Sequence, residues 1–599
     1  MLLLSCLLVF LSPAFSQEPP TLRLATALEK SGRHAEAYQL YRQMFDSEMH
    51  TVQVIGGIKN TLTALGRYED LVAFYESLLK RYPAQLNYRI DLGRAYYLSR
   101  NEARAFEVWK AVYELDPQNA TAYRLLAMTL IELRLIDAAV EVYQKAIRNT
   151  PRQESLYRDI ANLYKSQLNY EPAVENLLYF YQYHRNQIGY VRSQLVSMAR
   201  DEETVTKIIT ALKAYLKDHP AEDELLELLA TMYIKDKNFE EAFRIYENLQ
   251  KKNKEQNYLS RFAAEAEQNG AYHFAIRAYQ ILLDDQKNES DRIPILYSMA
   301  RSYYSLGRLH FSNGNTAIAE QNVREALQML DALIQKHTRS SVIIGSIELK
   351  GDIYSDYYND LDQAIASYQE ILRLNPNQDT SDRMRLKLGD LFLMKNNLVE
   401  AQKYYSQVNS QRHRQQGAFR LADLLYYQAR FNEARDSFNQ LLEKMDSKDP
   451  LTNDILERIL LIERFSSDSL HLSKYSRSEL LLRQNKQSEA AKQFREVFQG
   501  QNPLRFQAGL QAALSYSRLG QFDQSEQILF DLIQGNPDNK TLDAVYYLLA
   551  EVYFAQQKYQ LSLTNYRVIL LNYPGSFYVD EARDKARQIS AILEGVKTP

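Results

Sequence analysis

The stretch LNYRIDLGRAYYLSRNEARAFEVWKAVYELDPQN (86–119) is followed directly by ATAYRLLAMTLIELRLIDAAVEVYQKAIRNTPRQ (120–153), and the two blocks of 34 align residue for residue. Gly93, Tyr96, Ala105, Trp109 and Pro117 of the first recur as Ala127, Leu130, Ala139, Tyr143 and Pro151 of the second. Each block reads as two helices. The first carries a small residue with a large one three positions later, and the second carries Ala with an aromatic four later, so each pair shares one helix face. A small residue at a helix crossing lets two backbones approach, and the aromatic fills the space above it. Proline cannot continue the helix, so it forces the turn into the next unit.

The same spacing extends outward. Gly32, Ala37 and Tyr41 mark an earlier unit, and Gly66, Phe74, Tyr75 and Pro83 the next. The block 154–187 keeps Tyr157, Ala161, Tyr164 and Ala173, 188–222 is degenerate, and phase returns with Ala230, Tyr233, Ala242 and Tyr246, then Ala263, Ala275 and Tyr279. Ala300 and Tyr303 open a first helix whose partner, Ala326 with Leu330, arrives late, so Gly307–Thr316 is expected to be an extended turn or a lengthened helix pair, and a hinge. Regular units resume with Gly351, Tyr354, Ala364, Tyr368 and Pro376, then with Gly389, Phe392, Ala401 and Tyr405, then with Ala422, Leu425, Ala434 and Phe438. An Ile/Leu-rich helix and Ser466-Ser467-Asp468-Ser469 interrupt at 451–471. Three more units follow (Ala490 with Phe494; Ala513, Tyr516 and Pro537; Ala550, Tyr553 and Pro574), and the charged Phe577–Leu593 reads as a terminal cap helix.

A period of 34 with both helices present resembles the tetratricopeptide repeat (TPR) over nearly the whole chain. The resemblance implies an all-α, right-handed α-solenoid superhelix of helix-turn-helix repeats and a general role in binding other proteins or peptides. The expected organisation is a signal peptide at 1–16, an N-terminal array at 17–290, a unit with an extended insertion at 291–340, and a C-terminal array with its cap at 341–593.

A solenoid accommodates 599 residues without several separate cores, because each repeat touches only its neighbours. The 72 basic and 75 acidic residues nearly cancel, which argues against nucleic acid as a partner. Tyrosine is over-represented at 44 residues, mostly at packing positions. Leu2–Phe15 is almost wholly apolar and ends in Ala14-Phe15-Ser16, the pattern of a secretory signal cut after Ser16, too short to span a bilayer as a mature helix. The first basic residue is Arg23, so a basic leader region would lie upstream; the rival reading is a lipoprotein signal ending at Leu4-Ser5-Cys6. Cys6 is the only cysteine, and its removal would leave no thiol for a disulfide or zinc site. The expectation is an exported bacterial protein, periplasmic or associated with the outer membrane, serving as a cell-envelope scaffold. The alternative is an anchored subunit of an outer-membrane assembly, pilus or polysaccharide secretion machine. Asn119, Asn288 and Asn539 lie in N-x-[ST] sequons at the frequency chance supplies.

Catalytic signatures are missing. The nine histidines are scattered, no nucleophile elbow, zincin or phosphate-loop motif occurs, and Asp352, Asp356 and Asp360 are spaced four apart rather than two, unlike a calcium loop. No enzyme activity, metal or cofactor is expected. In the TPR frame, positions 2, 5, 9, 12 and 13 of the first helix face the concave groove, which the resemblance makes the binding surface. Arg124, Arg158 and Arg192, spaced 34 apart, take position 5; Arg94 and Asn162 take position 9. TPR domains that hold acidic tails use basic and Asn residues there, so these five form a candidate ladder for an acidic segment, although Met128 and Val196 replace Asn in two units. Tyr97, Tyr304, Tyr426, Tyr427 and Tyr547 also map to groove positions, where a flat amphipathic ring suits peptide recognition.

Overall fold

The computed structural model describes residues 19–336, 341–446, 448–535 and 542–595. The leader, Cys6, the cleavage point before Gln17, Pro537 and the Asn539 sequon lie outside the described residues. The described chain is α-helical, with two short 3-10 turns, and falls into two compact units, one ending at Asn269 and the other beginning at Gly270.

In the first unit the helices pair in sequence: Val52–Ala64 with Tyr68–Arg81, Leu86–Leu98 with Glu102–Glu114, Ala120–Glu132 with Ile136–Asn149, and Leu156–Ser166 with Tyr170–Tyr183. The degenerate stretch is also a helix pair, Ile188–Met198 and Glu202–Asp218, entered through a 3-10 turn at Arg185–Gln187. Each of these hairpins except Ile188–Met198 with Glu202–Asp218 is closed by one residue in the left-handed region. Arg100 at φ +65° sends its N–H to Tyr97 O at 3.0 Å, and Asn101 N–H reaches Tyr96 O at 2.9 Å, so two carbonyls orphaned by the helix end are satisfied. Asn101 then caps the next helix, its Oδ1 accepting from Arg104 N–H at 3.3 Å. Arg134 and Leu168 repeat the geometry with φ near +60°.

The small-plus-aromatic rule holds at the crossings. A Cβ on Gly93 would fall within the Trp109 ring, and Gly351 and Gly389 stand in the same relation to Tyr368 and Tyr405. Trp109 is 2% exposed and donates its indole N–H to Ile90 O at 3.1 Å. Ala105, Ala127 and Ala139 are fully buried beside it.

In the second unit the insertion is helical. Glu289–Ser312 runs 24 residues and Thr316–Lys336 runs 21, leaving only Asn313–Asn315 as a turn, with Gly314 at φ +79°. The extra residues lengthen both helices, as the second of the two expectations had it; the extended turn does not occur. Gly307 lies inside the first helix, where a Cβ would approach Val323 Cγ2 to 2.7 Å, and Ala300, Tyr304, Val323, Ala326 and Leu330 form a shared core. The interruption at 451–471 is the helix Leu451–Phe465, a 3-10 turn at Ser466–Asp468, and the start of Ser469–Arg483. Val579–Leu593 packs on Tyr559–Asn572 through Ala582 and Ile589.

Candidate functional site

In the first unit, the first helices of three consecutive repeats, Val52–Ala64, Leu86–Leu98 and Ala120–Glu132, line a groove of about 480 Å³. Its wall carries Lys59, Tyr88, Asp91, Arg94, Met128 and Glu132. Lys59 Nζ lies 3.5 Å from Asp91 Oδ1, and the buried Tyr75 hydroxyl donates to Asp91 Oδ2 at 3.0 Å. Burial first, then the Asp91 carboxylate, push the Tyr75 phenol far above its usual range, so it stays a donor. Arg94 forms an ion pair with Glu132 of the next repeat. Met128 is 55% exposed beside this paired charge, an apolar anchor point in a polar surround.

The expected arginine ladder divides in two. Arg94 is committed to Glu132, and Arg192 faces Glu227 at 3.5 Å, a carboxylate that also takes Arg261 at 2.7 Å. Arg124 and Arg158 are exposed and weakly held: Arg124 donates to the Gln153 amide at 3.1 Å, and Arg158 leans on its neighbour Asp159 at 3.3 Å. Asn162 accepts from the Tyr190 hydroxyl at 3.3 Å.

The tyrosines largely leave the surface. Tyr304 is 6% exposed, Tyr426 is fully buried and Tyr427 is 8% exposed, which corrects their expected place on an open groove. The physical reason is local. Tyr304 packs into the lengthened hairpin core, and Tyr426 donates to Glu479 at 2.6 Å beneath the Arg458 guanidinium, whose carbon lies 4.6 Å from the ring centre. Tyr97 is half-buried with its ring 6.1 Å from Trp109, and Tyr547 stacks on Tyr578 at 4.5 Å.

The sequence reading missed a recurrent network in the second unit. The Tyr368 hydroxyl donates to Asp352 at 2.5 Å, and Lys387 of the next repeat meets the same carboxylate at 2.6 Å. Tyr405 donates to Asp390 at 2.6 Å, which holds Arg420 at 3.2 Å; Tyr566 donates to Glu551, which faces Lys585 at 3.5 Å. The signal is legible afterwards: each acid directly follows the small residue of the first helix, as Gly351-Asp352, Gly389-Asp390 and Ala550-Glu551. Ala422-Asp423 follows the same rule with Arg458 as the cation at 3.0 Å, while Phe438 stands where the others have a tyrosine. These are position 9 carboxylates, so the second unit uses the position that the resemblance gives to partners for tying repeat to repeat. In the first unit position 9 carries Arg94, Met128 and Asn162 instead. Among the described residues there is no cluster of three or more potential metal ligands, and no helix long and apolar enough to cross a membrane.

These features define an all-α solenoid of helix-turn-helix repeats whose inner helices present side chains from repeat to repeat. Family models described as tetratricopeptide repeats match in three places, residues 103–154, 300–329 and 544–576. Among solved structures, the chain is similar to the Naa15/Naa10 complex bound to HypK-THB, at 14% identity over 96% of this chain and 97% of that one, with a TM-score of 0.28. It is also similar to a tetratricopeptide repeat protein from Parabacteroides merdae ATCC 43184, at 13% identity over 58% and 98% of the two chains, TM-score 0.26. A third is the APC/C hetero-tetramer Cut9-Hcn1, at 13% identity over 90% and 96%, TM-score 0.21. No curated protein matches the sequence.

Proposed function

We propose that the protein is a non-enzymatic scaffold that captures segments of partner proteins on the first-helix face of its first unit. Tetratricopeptide repeats generally bind proteins or peptides, and one observation selects this face. Arg124 and Arg158 are exposed with only weak internal partners, next to the exposed Met128, whereas the position 9 carboxylates of the second unit are held by tyrosines and cations. An acidic segment with an apolar residue fits this surface. Guanidinium forks bind carboxylates bidentately, and such a contact is worth roughly 1.5–3 kcal/mol.

Fluorescence anisotropy with acidic peptides carrying one Leu or Phe, against versions with Lys for Glu, tests this. The acidic set is expected to bind, and Arg124→Ala with Arg158→Ala to weaken it by about tenfold, or 1.4 kcal/mol, with added salt acting in the same direction. Equal affinity of the double variant for the acidic set would overturn the reading.

We place this scaffold outside the cytoplasm, in a bacterial envelope, on the strength of the apolar Leu2–Phe15 stretch and the Ala14-Phe15-Ser16 pattern. Retention of that stretch, or a lipid on Cys6, would instead tether it within an outer-membrane assembly, pilus or polysaccharide secretion machine. Mass spectrometry of the mature N-terminus separates the forms: a start at Gln17 supports export, and cytoplasmic chains retaining residues 1–16 refute it.

A further inference from the structure

In a regular repeat, the last turn of the second helix covers the next helix pair. In the first unit, Tyr113 near the end of the 13-residue helix Glu102–Glu114 stacks on Tyr123 of the following repeat, with ring centres 5.6 Å apart and planes 11° apart, and Tyr123 is fully buried. The second unit departs from this once. Its helix Leu398–Tyr405 is only 8 residues long and stops four residues short of Asn409, the position that corresponds to Tyr113.

The early stop is built into the chain. Asp382 is fully buried at the base of the preceding helix; its Oδ2 accepts from the Asn409 and Ser410 N–H groups at 3.0 and 2.6 Å, and its Oδ1 from Gln378 and Arg385 at 2.9 and 2.6 Å. Arg385 also donates to Gln407 O at 3.2 Å. These bonds fix 406–413 as a loop that cannot continue the helix, because the N–H groups a further turn would use are already taken. Val408 tucks against Gly417, where a Cβ would lie 2.8 Å from Val408 Cβ.

The consequence lies on the next pair, Arg414–Tyr427 and Phe431–Leu442. Ala418, four residues before the small Ala422 as Tyr123 is before Ala127, is exposed rather than buried, and Leu421 and Leu425 are only half-buried. Together with Leu441 they floor a groove of about 540 Å³, with Arg414 and Lys444 both at the open end of the hairpin, away from its turn. Both cations are exposed, and no acidic side chain lines the groove.

We propose that this vacated helix slot is a second docking site, distinct from the first-unit face, that takes a short amphipathic helix of a partner protein, apolar on one side and acidic where it meets Arg414 and Lys444. Ala418, Leu421/Ala422 and Leu425 recur at the spacing of one helix face, so they receive apolar side chains arriving at the same spacing from a helix laid in the slot. Arg414 and Lys444 stand together at the open end of the hairpin and select carboxylates on the part of the docked helix that lies beside them.

The test uses the full chain carrying Arg124→Ala and Arg158→Ala, which weakens the first-unit face about tenfold. The probe is a fluorescein-labelled 15-residue helical peptide with Leu at i, i+3, i+4 and i+7 and Glu elsewhere, read by anisotropy beside its Lys-for-Glu twin. The Glu peptide should bind and the Lys twin should bind at least tenfold more weakly. Ala418→Trp, which fills the slot as Tyr113 fills its counterpart, should abolish binding. Because a large residue could disturb folding, Arg414→Glu with Lys444→Glu, two exposed positions, should separately reverse the preference between the twins. Equal binding of the twins, or of the Ala418→Trp variant, overturns the proposal. So does light scattering that finds a dimer broken by Ala418→Trp, which would make the occupant a second copy of this chain.

Discussion

Replacing Asp382 with Asn tests how the loop at 406–413 is held, and its cost can be worked from the structure. Burial alone raises the Asp382 carboxyl, but the Ser410 N–H, Gln378, the Asn409 N–H and Arg385 outweigh it and hold it at about 2. Against an unfolded value of about 3.9, that difference corresponds to about 2.5 kcal/mol of stability at neutral pH. Asn keeps one acceptor oxygen. If that oxygen faces the two backbone N–H groups, the amide NH₂ confronts the donors of Arg385 and Gln378, so the charge term is lost and a donor clash is added. The folded-state value is depressed, so the contribution is complete above about pH 5 and declines as pH falls toward 2, with about half remaining near pH 3. Hydrogen exchange should show the Asn409 and Ser410 amides opening roughly 70-fold more readily in the variant at pH 7, the equivalent of 2.5 kcal/mol. Guanidinium unfolding at pH 7, 4 and 3 should show the gap between wild type and variant narrowing as the acid form takes over. A gap that stays constant from pH 7 to pH 3 would refute the account, because the carboxylate charge would then play no part in holding the loop.

Further expectations follow from other parts of the chain. Ala139→Leu places an isobutyl group at a crossing with no exposed surface and should cost about 1–3 kcal/mol, with faster amide exchange confined to the first unit; uniform loss of protection along the chain would argue against a repeat array. Tyr368→Phe removes a hydroxyl bonded to Asp352 at 2.5 Å and should destabilise the second unit by about 1.5–3 kcal/mol in urea titration, while a change below 0.5 kcal/mol would reduce the network to packing alone. Limited proteolysis should spare 307–312, which lies within a packed helix, and an early cut there, mapped by mass spectrometry, would contradict the long hairpin.

The fold was legible in the sequence because its determinants are local and periodic. Gly93 with Trp109 and Gly389 with Tyr405 are pairs whose spacing alone places them at one crossing, and the structure packs them there. The insertion was read only in part, since residues added to both arms of a hairpin look the same in sequence as residues added to its turn. The candidate surface was read less well. Tyr426 and Tyr427 occupy groove positions in an ideal frame, but the helix Leu451–Phe465 brings Arg458 against them and closes the groove locally. Arg94 and Arg192 looked like free cations because their partners, Glu132 and Glu227, stand 38 and 35 residues away. Such pairs depend on how repeats stack, and single-repeat spacing does not carry that information. The short helix before Asn409 was hidden for a similar reason: Asp382 acts on a loop 27 residues downstream.

Trp109 gives the molecule a built-in optical separation. It is the single tryptophan beside 44 tyrosines, and it is buried wholly within the first unit, with its indole N–H on Ile90 O. Red-edge excitation, which tyrosine does not absorb, therefore reports the melting of that unit alone, whereas phenol absorbance sums over the whole chain. Two probes in one cuvette should coincide if the chain unfolds as one cooperative block and separate if the units melt independently. The placement of one indole thus turns an ordinary denaturation curve into a measurement of how strongly the two halves are thermodynamically coupled.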